Sequence, residues 1–235
     1  MLTKQDKIWL LQKYPGLVVD TNDKQLSGEV EFTGTYNEQS GRFLQIEKDT
    51  NDGVGGLRLS GQFKITIKTR ADFRDSKLPA LFLEGFNHIP GRHFNQSDFS
   101  GCICNPLEED EFLEPRFEFQ RYFKELVAPF LYGQLFFTQE DRWPWFEYAH
   151  GGLGLLEAFS KNPTLEKAEE CIKKKSRELY LWSQIKPLLL QKSNIKGHTL
   201  CPCSKHDQIR RCHPLALTGL RLLKEQIKKN NITLP

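Results

Sequence analysis

The sequence predicts an α+β fold: a four-stranded antiparallel meander covered on one face by helices, with a helical C-terminal extension and a small metal motif. Three observations carry the prediction. Apolar and polar residues alternate between Leu26 and Glu84, the apolar spacing on either side changes to threes and fours, and Cys and His residues cluster near the C-terminus.

The first helix is expected at the N-terminus. Thr3 and Asp6 stand at the spacing of a helix N-cap pair, Ile8, Trp9, Leu10 and Leu11 supply an apolar face, and Tyr14-Pro15-Gly16 stops the helix. The strands follow, marked by Val30 and Phe32, by Phe43 and Ile46, by Leu57, Leu59, Phe63, Ile65 and Ile67, and by Leu81 and Leu83. Turn residues at Asn37 to Gly41, Asn51 to Gly56 and Asp72 to Lys77 separate them, so that neighbouring strands pair through short connections.

Beyond Gly85 the pattern lapses for about 30 residues, a length that in a compact domain marks a functional or disordered loop. It holds Cys102 and Cys104. Pro115 then opens a helix in which Phe119, Tyr122, Phe123, Leu126, Val127, Phe130 and Leu131 form a face broad enough to cover the sheet, with Pro129 expected to bend or thin its end. A Trp143-Pro144-Trp145 stretch leads through His150-Gly151-Gly152 into the apolar run Leu153 to Phe159. Asn162-Pro163 is expected to cap a long basic amphipathic helix that buries Leu165, Ala168, Ile172, Leu179, Trp182 and Ile185. The expected division is a main domain over 1–160 and a basic extension over 161–235, with the metal motif at about 198–214.

A chain of 235 residues, 38% hydrophobic and 11% aromatic, can bury one good core with a small appendage. Its formal charge of +3 hides an asymmetry: residues 1–160 hold 17 Lys+Arg against 24 Asp+Glu, net −7, and residues 161–235 hold 16 against 6, net +10. A basic tail can touch nucleic acid, an acidic partner, or the acidic body of its own chain. No stripe of basic residues interleaved with aromatics accompanies it, which disfavours nucleic acid. There is no apolar run of about 18 residues to span a membrane. Met1 to Asp6 lacks an apolar signal core, so a cytosolic protein is expected. In that reducing compartment the six cysteines read as thiols, metal ligands or a nucleophile rather than as a disulfide framework.

Cys201-Pro202-Cys203 is followed after eight residues by Cys212-His213. Four soft or imidazole donors so close together suit a structural, tetrahedral Zn2+ whose closed coordination organises a segment too small for its own core. His198 and His206 stand nearby as reserve ligands. The spacing resembles the small zinc motif at the C-terminus of the protein-export ATPase, with Ser204-Lys205-His206 where that motif often has Gly-Ser-Gly.

The long loop carries His93-Phe94-Asn95 and then Gly101-Cys102-Ile103-Cys104. Taken alone, Cys104 is a small buried hydrophobe. The pattern, however, resembles ubiquitin-conjugating (E2) enzymes, which place a His-Pro-Asn triplet before a Gly-x-Ile-Cys segment, after a four-strand meander and ahead of a helix. The resemblance spans roughly residues 3–131 and implies the ubiquitin-conjugating-enzyme-like fold, with Phe94 at the usual proline. It matches Cys104 to the active-site thiol and His93 and Asn95 to the triplet; Asn95 is the candidate amide that binds the oxyanion or holds the loop that does, and His93 reads as a structural residue of the loop rather than a general base. A thiol suits this work because a thioester is reactive towards amines yet persists in water. Cys102 projects to the same side if the segment is extended, so either sulfur is near the site. His150 belongs either to aromatic packing and a glycine turn or to the site, as the base that deprotonates the incoming amine.

Together the two motifs resemble the E2-like proteins with a cysteine-rich end found in bacterial cyclic-oligonucleotide antiphage signalling systems (CBASS). That resemblance implies the C-terminus of a cGAS-like nucleotidyltransferase as the acyl donor, carried on Cys104 and passed to an amine. The chain has no nucleotide-binding glycine loop, so activation implies an E1-like partner or another route. Two other readings stand beside it: a non-catalytic binding module, and a nucleic-acid binder whose affinity falls steeply with salt.

Overall fold

The computed structural model describes residues 2–46, 55–69, 77–86, 91–95, 98–176, 178–203 and 207–235. The expected turns at 51–56 and 72–77 lie largely outside these residues. Two compact units form, one from residues 1–104 and 109–146, the other from 105–108 and 147–235.

In the first unit a capping box starts α1 (Lys4–Lys13): the Asp6 N–H donates to Thr3 Oγ1 at 3.1 Å and the Thr3 N–H donates to Asp6 Oδ2 at 2.9 Å. Leu10 turns into the core and Trp9 packs edge-on against Tyr14, Phe119 and Phe123. Ile8 and Leu11 do not share that face; they are 48% and 69% exposed.

Five strands follow: β1 (Leu17–Val19), β2 (Gln25–Asn37), β3 (Arg42–Gln45), β4 (Leu57–Lys68) and β5 (Ala80–Leu83), all antiparallel. Val30, Phe32, Phe63, Ile65 and Ile67 are buried while Glu29, Glu31, Gln62 and Lys64 are exposed, the alternation a half-buried sheet requires. The expected four-strand meander is corrected in two respects. β1 is an additional strand, and β4 pairs with β2 rather than with β3. β2 and β4 are 13 and 12 residues long and pair from Gln25↔Lys68 to Tyr36↔Leu57, whereas β3 has four residues to offer. Pairing the two long strands satisfies more main-chain groups, and β3 takes the opposite edge of β2.

After α2 (Asp110–Leu113), the covering helix is built from α3 (Phe119–Tyr122), a π-turn (Phe123–Val127) and α4 (Ala128–Glu140). Pro129 stands within this helix rather than at its end. It lies in the first turn of α4, just after the Ala128 N–H has reached back to Phe123 O, so the widened turn absorbs the ring. Phe130, Leu131, Tyr132 and Phe136 are buried, and α4 packs on β2, β3 and β4. Burial, with Glu38 nearby, pushes the Tyr132 phenol up to about 12, which keeps its hydroxyl a donor to Leu57 O at 2.8 Å.

The second unit comprises α5 (Gly151–Lys161), α6 (Leu165–Lys175), α7 (Leu179–Leu190), α8 (Ile209–Cys212) and α9 (Pro214–Asn230). α5 packs against α9, so the boundary falls between Phe146 and Glu147 rather than after residue 160. The single long helix expected beyond Asn162-Pro163 is two. Thr164 caps α6 by accepting from the Lys167 N–H at 3.3 Å, and the chain breaks at Ser176, whose hydroxyl donates to Lys173 O at 3.1 Å. Ala168, Ile172, Trp182 and Ile185 are buried, Leu165 is 41% exposed, and the Leu179 side chain lies outside the described set. Buried Lys224 donates to the carbonyls of Leu188, Gln191 and Ser193 at 3.1, 2.6 and 2.8 Å, closing the end of α7. Burial, with Lys228 nearby, holds its amine below the ordinary lysine range. Among the described residues no helix is long and apolar enough to cross a membrane.

Candidate functional site

The chain after β5 folds into a tight hairpin. Phe94 and Gly101 form an antiparallel bridge, the Cys102 N–H donates to His93 O at 2.7 Å, and the Asn95 N–H donates to Ser100 O at 2.8 Å. The hairpin joins the sheet where the Gly101 N–H donates to Leu81 O at 2.7 Å. A Cβ on Gly101 would stand 3.0 Å from the Phe130 ring, so glycine lets this segment lie close on α4. Asn95 Nδ2 donates to Ser100 Oγ at 3.0 Å, and Asp98 Oδ1 accepts from the Ser100 N–H and hydroxyl at 3.0 and 2.7 Å. The Asn95 amide therefore holds the loop. The His93 ring stands edge-on to Trp143 at 4.6 Å, on a backbone with φ of +55°.

Residues that sequence reasoning missed clamp this hairpin to α4. Arg92 is 8% exposed, with its guanidinium over the Phe86 and Phe137 rings at 5.2 and 5.1 Å. Its Nη1 donates to the main-chain and side-chain oxygens of Gln134 at 3.2 and 3.3 Å, and its Nη2 to Thr138 Oγ1 at 3.0 Å. Gln134 Nε2 returns a bond to Arg92 O at 2.8 Å, and Trp143 Nε1 donates to Gly91 O at 2.9 Å. Burial lowers the Arg92 pKa, partly offset by Asp141. The Trp143-Pro144-Trp145 stretch was the available signal: both indoles pack into the first core. Arg92→Ala is expected to destabilise the first unit by about 2–4 kcal/mol, because it strands the buried Gln134 amide and removes the stacked guanidinium. Chemical denaturation followed by tryptophan fluorescence reads this, and an unchanged midpoint would contradict the clamp.

Cys102 is exposed and Cys104 is half-buried, packed with Ile103 at the margin of the first core, and neither is in a disulfide. His93, Asn95, Cys102 and Cys104 thus come together on one hairpin and its exit. His150 belongs to the second unit, where it is the exposed N-cap residue of α5. The start of that helix is served by Glu178, whose Oε2 accepts from the Gly152 N–H at 3.1 Å.

A second hairpin builds the metal cluster. Leu200 bridges Gln208, the Cys201 N–H donates to Asp207 O at 2.8 Å, and the N–H groups of Ile209 and Arg210 donate to Thr199 O and Gly197 O at 2.9 and 3.1 Å. Cys212 ends α8 and His213 caps α9, which brings the second pair of donors opposite the first. The donor atoms of Cys201, Cys203, Cys212 and His213 all lie within 4.8 Å of one another. Cys201 Sγ is 3.2 Å from His213 Nδ1, and Cys203 Sγ is 3.2 Å from Cys212 Sγ. Thiolates around tetrahedral zinc stand about 3.8 Å apart, so small shifts would seat an ion. Burial, more than the neighbouring sulfurs, pushes the Cys201 thiol up to about 12, a penalty that a bound cation reverses. These residues could hold a metal ion, and their donor set fits zinc. His198 is exposed and His206 lies outside the described residues. No family model, curated protein or solved structure matches the chain.

Proposed function

We propose that the chain is an E2-like acyl-transfer protein with a ubiquitin-conjugating-type fold, in which Cys104 carries a partner's C-terminus as a thioester and passes it to an amine. The Cys201, Cys203, Cys212 and His213 cluster holds a structural zinc. The observation that carries the reading is the hairpin: His93 and Asn95 close it, Gly101 seats it on the sheet and α4, and it ends at the half-buried thiol of Cys104. The strand order departs from a consecutive meander, so the support lies in this hairpin and not in the topology.

The Cys104 thiolate attacks an activated acyl carbon, and the activating group leaves with the electron pair of its bond. The amine then attacks the thioester, an oxyanion forms and collapses, and the sulfur departs as thiolate while the amine loses its proton. Asn95 keeps the loop in register for that oxyanion. A cGAS-like nucleotidyltransferase is the proposed donor, with an E1-like partner to activate its carboxylate. After co-expression with such a partner, intact-mass measurement is expected to show a reductant-sensitive adduct that Cys104→Ala abolishes and Cys102→Ala retains. Survival in the first variant with loss in the second would assign the chemistry to Cys102.

A further inference from the structure

β1 and β3 lie end to end along one edge of β2 and leave a break between them. On one side of it the Glu29 N–H donates to Gly16 O at 3.3 Å, and on the other the Ile46 N–H donates to Thr33 O at 2.9 Å. Residues two apart on a strand present their main-chain groups to the same edge, so the Glu31 N–H and C=O point into the break. Among the described residues nothing bonds to them there, and the Glu31 carboxylate makes no ion pair. The break opens into a cavity of about 940 Å³. Its lining includes Glu29 and Glu31, Trp9, Lys13 and Lys124, and a bond in which Gln45 Nε2 donates to Tyr14 Oη at 2.5 Å.

We propose that this break binds an extended peptide segment carrying a basic residue, whose main chain pairs with Glu31 and whose side chain meets the carboxylates of Glu29 and Glu31. Strand addition needs an unpaired donor and acceptor held in strand geometry, and Glu31 presents both. Directly opposed residues of an antiparallel pair project to the same face, so the residue across from Glu31 reaches its carboxylate and, diagonally, that of Glu29. Glu29 accepts a bond from Gln62 Nε2 at 3.0 Å and stands directly across from Lys64 of β4, whose charge it already meets, so Glu31 is the main carboxylate for the ligand. At about 3.3 Å per residue the slot takes roughly three residues, so it suits a short extended stretch rather than a whole added strand. The slot is separate from the Cys104 chemistry and does not depend on it.

The test is a nuclear magnetic resonance titration of the labelled full chain with the capped peptide Thr-Val-Lys-Val-Thr. Controls are the same peptide methylated on the lysine amide nitrogen and a version with Glu replacing Lys. The lysine peptide is expected to shift the Glu31 amide resonance and slow its hydrogen exchange, and the methylated peptide to lose both effects. Glu31→Lys is expected to weaken the lysine peptide about fivefold and to favour the Glu version. No change at the Glu31 amide with millimolar peptide, or equal binding of the methylated peptide, would overturn the proposal. Equal binding of the Lys and Glu versions by the unaltered protein would overturn its basic-residue element.

Discussion

Freshly reduced protein is expected to carry about one zinc per chain, and a chelator that removes it to open the hairpin between Gly197 and Arg210. The three main-chain bonds and bridge of that hairpin enclose Cys201, which is buried, so without an ion the segment confines three thiols and an imidazole within 4.8 Å. Zinc binding in small zinc-finger peptides is worth about 10–16 kcal/mol and is there the whole folding energy. Here Leu156, Phe159, Ala216, Leu220 and Leu223 build an apolar helical core that Cys201 and Ile209 join from the hairpin, so the loss is expected at the hairpin first. Hydrogen exchange at the Ile209 and Arg210 amides, measured beside the zinc content, follows it. Because burial lifts the Cys201 thiol to about 12, it holds its proton at neutral pH until metal displaces it, so affinity falls as pH falls and binding releases protons. Absence of zinc from freshly reduced protein would remove the metal assignment.

Gly219→Ala is expected to destabilise the second unit by about 3 kcal/mol, although alanine is the better helix former by about 1 kcal/mol. A Cβ at Gly219 would stand 2.0 Å from the Leu156 carbonyl oxygen. That oxygen is main chain in the middle of α5, so the contact is relieved only by separating α5 from α9, which unpacks Leu217, Leu220 and Leu223. Urea denaturation measures the loss. Lys228→Ala, on the exposed part of α9, serves as the control with an expected change within about 0.5 kcal/mol. A stability for Gly219→Ala equal to that of the control would contradict the close helix crossing.

Much of the architecture was legible in local pattern. The Thr3–Asp6 pair forms a capping box, and Val30, Phe32, Phe63, Ile65 and Ile67 are buried at the alternation expected of them. Asn37 organises its turn as expected, its side chain accepting from the Gln39 and Ser40 N–H groups at 3.0 Å. The cysteine spacing brought four donors together because two short local structures, a hairpin and one helical turn, decide their positions.

What local pattern does not encode is which strands meet. β1 has three residues, too few to show a period, and nothing in the residues of β3 states that β4 pairs with the far edge of β2. The π-turn before Pro129 and the break at Ser176 are backbone accommodations inside continuous apolar spacing, so the spacing runs through them. The Arg92–Gln134 clamp was illegible because its two residues are far apart in the chain, and an isolated arginine in a loop reads as solvated. His93, Asn95, Cys102 and Cys104 lie on one hairpin and its exit, whereas His150, next to Gly151 and Gly152, begins α5 in the other unit.

The proposed transfer depends on the sulfur of Cys104, and replacing that one atom with oxygen tests it directly. Intact-mass measurement of Cys104→Ser after co-expression with a cGAS-like nucleotidyltransferase and an E1-like partner is predicted to show the donor added with loss of water. That adduct should resist thiols but yield to alkali, as an oxygen ester does. An unaltered protein that acquires no adduct under the same conditions, or an adduct on the serine variant that thiols still remove, would contradict it.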